Sequence, residues 1–234
     1  MKKIRLSILV LLTIFLCLSL VVACNGKSDA PEKTGLEKRV STYQDSVYVG
    51  ENGEFGVSFV TGEAEKLIVI DGEVGECARF ATLTVTPLSS ELYNNTYSYI
   101  LKGEAGEKTG ELVKDVVGAA FSAEVPAAEE IGKVLSVTVK ADGILESEVE
   151  LMSKLEGAMT WREALAVAEK AFAEEITAES DTGELSREIY VKLVNALSDA
   201  DAPYYYYVSF IKSSSDYWAI LLDPVTGEII SKKV

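Results

Sequence analysis

From about Ser41 to Leu151 apolar and polar residues alternate, and that period of two restricts the fold more than any other feature of the chain. Phe55, Val57 and Phe59 are separated by Gly56 and Ser58, and Leu135, Val137, Val139 and Ala141 by Ser136, Thr138 and Lys140. Leu145, Val149 and Leu151 lie among Glu146, Glu148 and Glu150. Successive side chains of a strand point to opposite faces, so each pattern gives one dry face and one wet face. Further strands are expected near Val47–Val49, Leu67–Ile70, Phe80–Thr86, Tyr97–Lys102 and Ala119–Val125. Asp142-Gly143 reads as a two-residue hairpin, and Glu51-Asn52-Gly53, Thr61-Gly62, Asp71-Gly72 and Glu104-Ala105-Gly106 read as turns. About seven to nine short strands over residues 41–152 predict an antiparallel β-sandwich of immunoglobulin-like architecture.

Beyond residue 152 the period changes. Thr160-Trp161-Arg162-Glu163 has the form of a capping box, and Trp161, Leu165, Ala168 and Phe172 make one apolar helical stripe. Leu185, Ile189, Leu193 and Leu197 predict a second helix over about Glu184 to Leu197, with a strand built on Ile189–Val194 as the alternative. After Pro203, Tyr204–Ile211, Tyr217–Leu222 and a closing strand from Ile229 complete a helix-plus-antiparallel-sheet module over 153–234. The overall class is therefore mainly β with an α+β part.

At the other end, Lys2, Lys3 and Arg5 precede an uncharged run from Leu6 to Val22, and Ala23 precedes Cys24. A basic start, an apolar core and a small residue describe a secretory signal over 1–23. The placement of Cys24 resembles the lipobox of bacterial lipoproteins. That resemblance implies a diacylglycerol on its thiol and an extracytoplasmic chain anchored to the cell membrane. An uncleaved anchor helix is the alternative, the run being near the ~20 residues of a bilayer span. Residues 24–40 are polar and read as a flexible tether.

Composition narrows the chemistry. Removing residues 1–23 takes away three basic residues and no acid, so 19 basic face 37 acidic residues, a net charge of −18. That balance argues against nucleic acid as a partner. The chain has no histidine, which excludes Ser–His–Asp and Cys–His catalysis and histidine metal sites. With Cys17 in the signal and Cys24 lipidated, Cys77 stands alone and no internal disulfide forms. It has no activating base beside it in sequence and reads as an idle thiol.

The segment Thr160 to Ala168, with its Thr-x-x-Glu-Ala-Leu-x-x-Ala form, is followed by Tyr-rich strands and by Tyr-Trp-Ala-Ile-Leu-Leu-Asp-Pro-Val-Thr-Gly-Glu-Ile-Ile at Tyr217–Ile230. Together these resemble a PepSY domain over about residues 153–234. The resemblance implies a cystatin-like fold, a role in binding or restraining peptidases, and no catalytic residues. Between Glu174 and Tyr204 the chain departs from that pattern, which calls for a strand where the spacing predicts a helix.

Several residues are candidate sites. Tyr204–Tyr207 with Tyr217 and Trp218 form the densest aromatic cluster. Alternation sends two of the four consecutive tyrosines away from the core, so Tyr205, Tyr207, Tyr217 and Trp218 are candidates to grip a peptide or glycan, with packing against the helices as the alternative. Asp223 and Gly227 suit a turn. Asp181-Thr182-Gly183 matches the aspartic-protease tripeptide but has polar flanks and no partner loop. Thr-Gly-Glu also occurs at Thr61, Thr109 and Thr226, and reads as a recurrent turn. The acids Asp199 and Asp201, and those from Glu174 to Glu184, lack the spacing of a calcium loop. No catalytic residue, metal or cofactor is expected. The sequence thus predicts a membrane-anchored, non-enzymatic binding module that engages an envelope peptidase or peptide. A structural or adhesive protein whose β-sandwich is the binding part is the alternative.

Overall fold

The structure is a computed structural model that describes residues 35–67, 69–115, 119–141, 145–180, 185–195 and 203–234. The signal, Cys24, Asp142-Gly143, Asp181-Thr182-Gly183, Asp199 and Asp201 lie outside the described residues. A 3-10 turn at Gly35–Arg39 leads into β1 (Val40–Glu51), followed by β2 (Phe55–Glu65), β3 (Cys77–Pro87), β4 (Tyr97–Gly103), β5 (Gly106–Lys114) and β6 (Phe121–Glu124). Then come β7 (Val134–Ala141), β8 (Leu145–Glu150), β9 (Met152–Ser153), the helices α1 (Trp161–Ala171) and α2 (Ala173–Ser180), and β10 (Glu188–Asn195), β11 (Tyr204–Ile211), β12 (Tyr217–Leu222) and β13 (Ile229–Lys233). The chain is mainly β. Residues 35–39, expected to be part of the tether, form a 3-10 turn, and Leu36 packs on a core.

Among the described residues, all 13 strands belong to one mixed sheet, running β13-β12-β11-β10-β1-β2-β3-β6-β5-β4-β7-β8, with β9 paired to β1. Tyr48 pairs with Ser153 and Val49 with Met152, so the strand path curls back on β1. The alternating residues of β2 to β8 face into the space enclosed: Phe55, Val57, Phe59, Leu83, Val85, Leu101, Val137 and Val139 form one core. A second core lies between α1 and the strands β10 to β12. β1 is common to both halves. Val40, Tyr43 and Val47 enter the second core while Tyr48 packs on the first, and β1 pairs parallel with β10 but antiparallel with β2.

Four local expectations are overturned. The segment Glu188–Asn195 is a strand and not a helix, with Ile189, Val191 and Leu193 on the core face. Leu67, Val69 and Ile70 are exposed in a loop instead of forming a strand. That loop is tied down through its backbone: Glu188 Oε1 accepts from the amides of Asp71 (2.9 Å) and Gly72 (3.0 Å), Glu65 accepts from Gly75, and Arg39 donates to the Gly72 carbonyl. Thr61-Gly62 and Thr109-Gly110 lie inside strands, not in turns. A Cβ on Gly62 would sit 2.0 Å from the Tyr43 carbonyl oxygen, so this glycine permits a close approach where β1 bulges at Gln44–Ser46. Leu135 is exposed and Val134 takes the core position, because a register shift between Lys102 and Gly103 moves the alternation by one residue.

α1 starts as its sequence dictates. Thr160 Oγ1 accepts from the Glu163 amide at 3.3 Å, and Glu163 Oε2 accepts from the Thr160 amide at 2.7 Å. The Thr160 amide, and then the Thr160 hydroxyl, which donates to Glu163 Oε2 at 2.9 Å, hold the Glu163 carboxyl below its ordinary value. Tyr43 of β1 stacks on Trp161 at 4.2 Å, which fixes the helix over the sheet.

Candidate functional site

Cross-strand register sorts the C-terminal aromatic residues into two faces. The pairs Ile189–Phe210, Val191–Val208 and Leu193–Tyr206 continue to Trp218, Ile220 and Leu222, and all of these side chains lie under α1. The opposite face carries Tyr190 and Lys192 of β10, Tyr205, Tyr207 and Ser209 of β11, Tyr217, Ala219 and Leu221 of β12, and Ser231 and Lys233 of β13. Tyr205, Tyr207 and Tyr217 therefore point away from the core and are half-buried among their neighbours.

Trp218 does not belong with them. It is only 8% exposed, lies 5.7 Å from Phe172 and 6.1 Å from Phe210, and is covered by the Arg187 guanidinium at 3.9 Å from its ring centre. Strand alternation, which turns Tyr217 outward, turns Trp218 inward. Arg187 is itself buried and pairs with Glu179 Oε2 (2.7 Å) and Asp216 Oδ1 (2.9 Å), clamping α2 to the β11–β12 turn. Burial pushes the Glu179 carboxyl up, but bonds from Arg187 and Ser186 outweigh it and leave the pKa lowered.

The outer face gathers cations in an acidic chain. Lys192 lies 5.1 Å from the Tyr190 ring centre and Lys233 lies 3.3 Å from that of Tyr217. Burial holds the Lys192 amine below its ordinary pKa. The Tyr207 phenol is raised, first by burial and then by the neighbouring Tyr217, with Ser209 and Lys233 acting the other way. Ser209 Oγ is fully buried and makes no hydrogen bond of standard geometry, though it lies close enough to favour the Tyr207 oxygen. Tyr190 and Lys192 escape notice when the segment is read as a helix; alternation through Ile189, Val191 and Leu193 would have placed both on this face.

Asp223 and Gly227 build the β12–β13 turn. Asp223 Oδ1 accepts from Val225 (2.9 Å) and Thr226 (2.7 Å), and these amides hold its carboxyl below the usual range. Gly227 has φ of +73°, which favours glycine, and its amide returns to the Asp223 carbonyl at 3.0 Å. The Pro224 carbonyl then accepts from the Met159 amide at 2.8 Å, so the turn also positions the start of α1.

A pocket of about 700 Å³ opens in the N-terminal half. Tyr48 and Phe59 form its apolar floor; Ser46, Thr61 and Ala81 are one step beyond in register. Arg79 pairs with Asp45, which also accepts from Thr61 Oγ1 at 2.5 Å. Cys77 is half-buried, with Sγ 3.7 Å from the Gly75 carbonyl oxygen. Among the described residues no three His, Cys, Asp or Glu side chains are grouped as a metal site would need, and no helix is long and apolar enough to cross a membrane.

The fold and these surfaces define a mainly β chain with an aromatic, lysine-bearing sheet face. No protein-family model, curated protein or solved structure matches it.

Proposed function

We propose that the chain is an extracytoplasmic bacterial lipoprotein, anchored through a lipid on Cys24, that binds a peptidase or an extended peptide in the cell envelope and catalyses no reaction. The observation that carries this reading is the outward row of Tyr205, Tyr207 and Tyr217 on the sheet face opposite α1. Half-buried tyrosines supply broad contact area at little entropic cost, because each ring has few torsions to fix. The unpaired edge of β13 lies beside this row and offers backbone groups to an extended segment. The finer fold reading belongs to the same proposal: an immunoglobulin-like sandwich in the first half and a cystatin-like, PepSY-like module in the second. It draws support from a core enclosed by the curled strands and from β10, which stands where the PepSY pattern calls for a strand.

The test uses soluble chain starting at residue 25 with a secreted peptidase of the same envelope. Slowed or protected peptidase activity, lost on replacing Tyr205, Tyr207 and Tyr217 by Ser while thermal unfolding stays cooperative, supports the proposal. No effect on any such peptidase, or an undiminished effect in the triple variant, defeats it. A second reading, in which the first half is the adhesive part, draws on the 700 Å³ pocket. It predicts that Arg79→Met, and not the tyrosine replacements, abolishes binding.

A further inference from the structure

The rung Tyr190–Ser209–Ala219–Lys233 crosses the outer face from β10 to β13. Its two central residues are small and fully covered, at 0% and 5% exposure. Larger side chains from the neighbouring rungs converge on it. Lys192 leans back along β10 toward the Tyr190 ring. Tyr207, directly opposite Lys192, leans along β11 toward Ser209. The Tyr207 phenol has Tyr217 and Lys233 as its charged and polar neighbours beyond Ser209, while the Lys192 ammonium stays over Tyr190. Lys233 closes the far end, lying over Tyr217.

Three polar groups here lack a charged partner or a hydrogen bond of standard geometry among the described residues: Lys192 half-buried, Lys233 exposed and Ser209 buried. Among the described residues neither Lys192 nor Lys233 pairs with a carboxylate, although the mature chain has 37 acids for 19 bases. Lys66, Lys102, Lys108, Lys140 and Lys232 each have an acid within ion-pair distance. Lys114, Lys154, Lys170 and Lys212 do not among the described residues, so what sets Lys192 apart is its burial beside the Tyr190 ring. The third group is the buried Ser209 hydroxyl. Glu188, the acid that β10 places on this face, is fully buried and already engaged by Asp71, Gly72 and Tyr190, and the buried Glu65 near Tyr190 accepts from the Gly75 amide. A half-buried amine without a counter-charge is unfavourable in isolation, and an incoming anion relieves that cost.

We infer that this face recognises an acidic peptide, with one carboxylate held by Lys192 over Tyr190 and a second by Lys233 together with the Tyr207 hydroxyl. The inference rests on the reading of the face as the binding surface. Three strand spacings of about 4.8 Å separate β10 from β13, roughly 14 Å, and an extended peptide covers about that distance in four residues. The preferred segment is therefore Glu-x-x-x-Glu laid across the strands, its intervening side chains packed on the tyrosines. A polyphosphate fits less well, because the two cations are separate and the net charge of −18 repels a dense polyanion.

The experiment is an NMR titration of the chain starting at residue 25, with the blocked peptides Glu-Ala-Ala-Ala-Glu and Gln-Ala-Ala-Ala-Gln and with inorganic polyphosphate. The acidic peptide is expected to bind at least tenfold more tightly than the Gln peptide, to shift Lys192, Tyr207 and Lys233, and to weaken with salt. Lys192→Met, which keeps the stem and removes the charge, should remove that tenfold preference. Ser209→Ala should weaken binding while raising Tm, since it deletes an unsatisfied buried hydroxyl, and a merely structural serine would not separate those two readouts. Equal binding of the two peptides at this face leaves the binding surface standing and overturns the acidic preference. No binding of either peptide, or polyphosphate displacing the acidic peptide, also overturns the inference.

Discussion

Replacing Arg187 with Met tests whether the clamp between α2 and the β11–β12 turn stabilises the second half. Arg187 is buried, with its side chain 6% exposed, and satisfies Glu179 and Asp216 while covering Trp218. Methionine fills much of the same volume, so the loss is chiefly electrostatic. Removing one partner of a buried pair costs about 3–5 kcal/mol, and the bonds that Ser186 donates to Glu179 favour the lower end of that range. Asp216 is half-exposed and contributes little, so about 3 kcal/mol is expected near neutral pH. At about 2–4 °C per kcal/mol for a chain of this size, Tm falls by roughly 6–12 °C. The effect must depend on pH with a definite sign. The native pKa of Glu179 is depressed, so the stabilisation is present above the unfolded carboxylate pKa and is lost as pH falls through the native value. Calorimetry of both proteins between neutral pH and pH 3 should show the curves converging at the acid end. A neutral-pH difference below about 1 kcal/mol, the level of an exposed pair, refutes the reasoning. So does a difference that persists unchanged at pH 3.

Gly62→Ala should destabilise by more than about 2 kcal/mol in urea unfolding, since its Cβ would fall 2.0 Å from the Tyr43 carbonyl oxygen and force β1 away from β2. A neutral effect would show that the bulge relaxes freely. Tyr206 is buried, donates to the Met159 carbonyl at 2.9 Å, and has its pKa pushed up to about 12, first by burial and then by Glu163. Its contribution to stability is complete below the unfolded value of 10 and declines as pH rises toward 12. Ultraviolet titration should show one tyrosine ionising late, and Tyr206→Phe should remove that step.

The residues that announce the fold most clearly have environments that repeat. Phe55, Val57 and Phe59 alternate because β2 has one face in a core, and Thr160 to Glu163 can cap only a helix. The misreading of Glu184–Leu197 has a simple origin. A spacing of four residues satisfies both a helical stripe and a strand face, because four is also a multiple of two; Leu185, Ile189 and Leu193 therefore do not discriminate. Val191, on the same face, and Tyr190 and Lys192, on the other, do. Leu135 and Gly62 were illegible for another reason: each depends on a register shift in a partner distant in sequence. The outward tyrosines followed from alternation alone. Their lysine partners did not, since Lys192 and Lys233 are brought onto one rung system by four strands whose order is a tertiary fact.

The place of β1 has a consequence for how the chain is made. Its parallel partner, β10, lies far along the sequence, with Val40 opposite Ile189. As the chain emerges N-terminus first, β1 can pair with β2 almost at once, but the Val40–Tyr43 part of its other edge waits for β10. Until β10 arrives, that edge is open to pairing with any neighbouring strand, including the same strand of another nascent molecule. Val40, Tyr43 and Val47 stay without their core over the same interval. A chain built this way is expected to gain most from a folding helper while only its first half has emerged, and to misassemble as a dimer joined through β1.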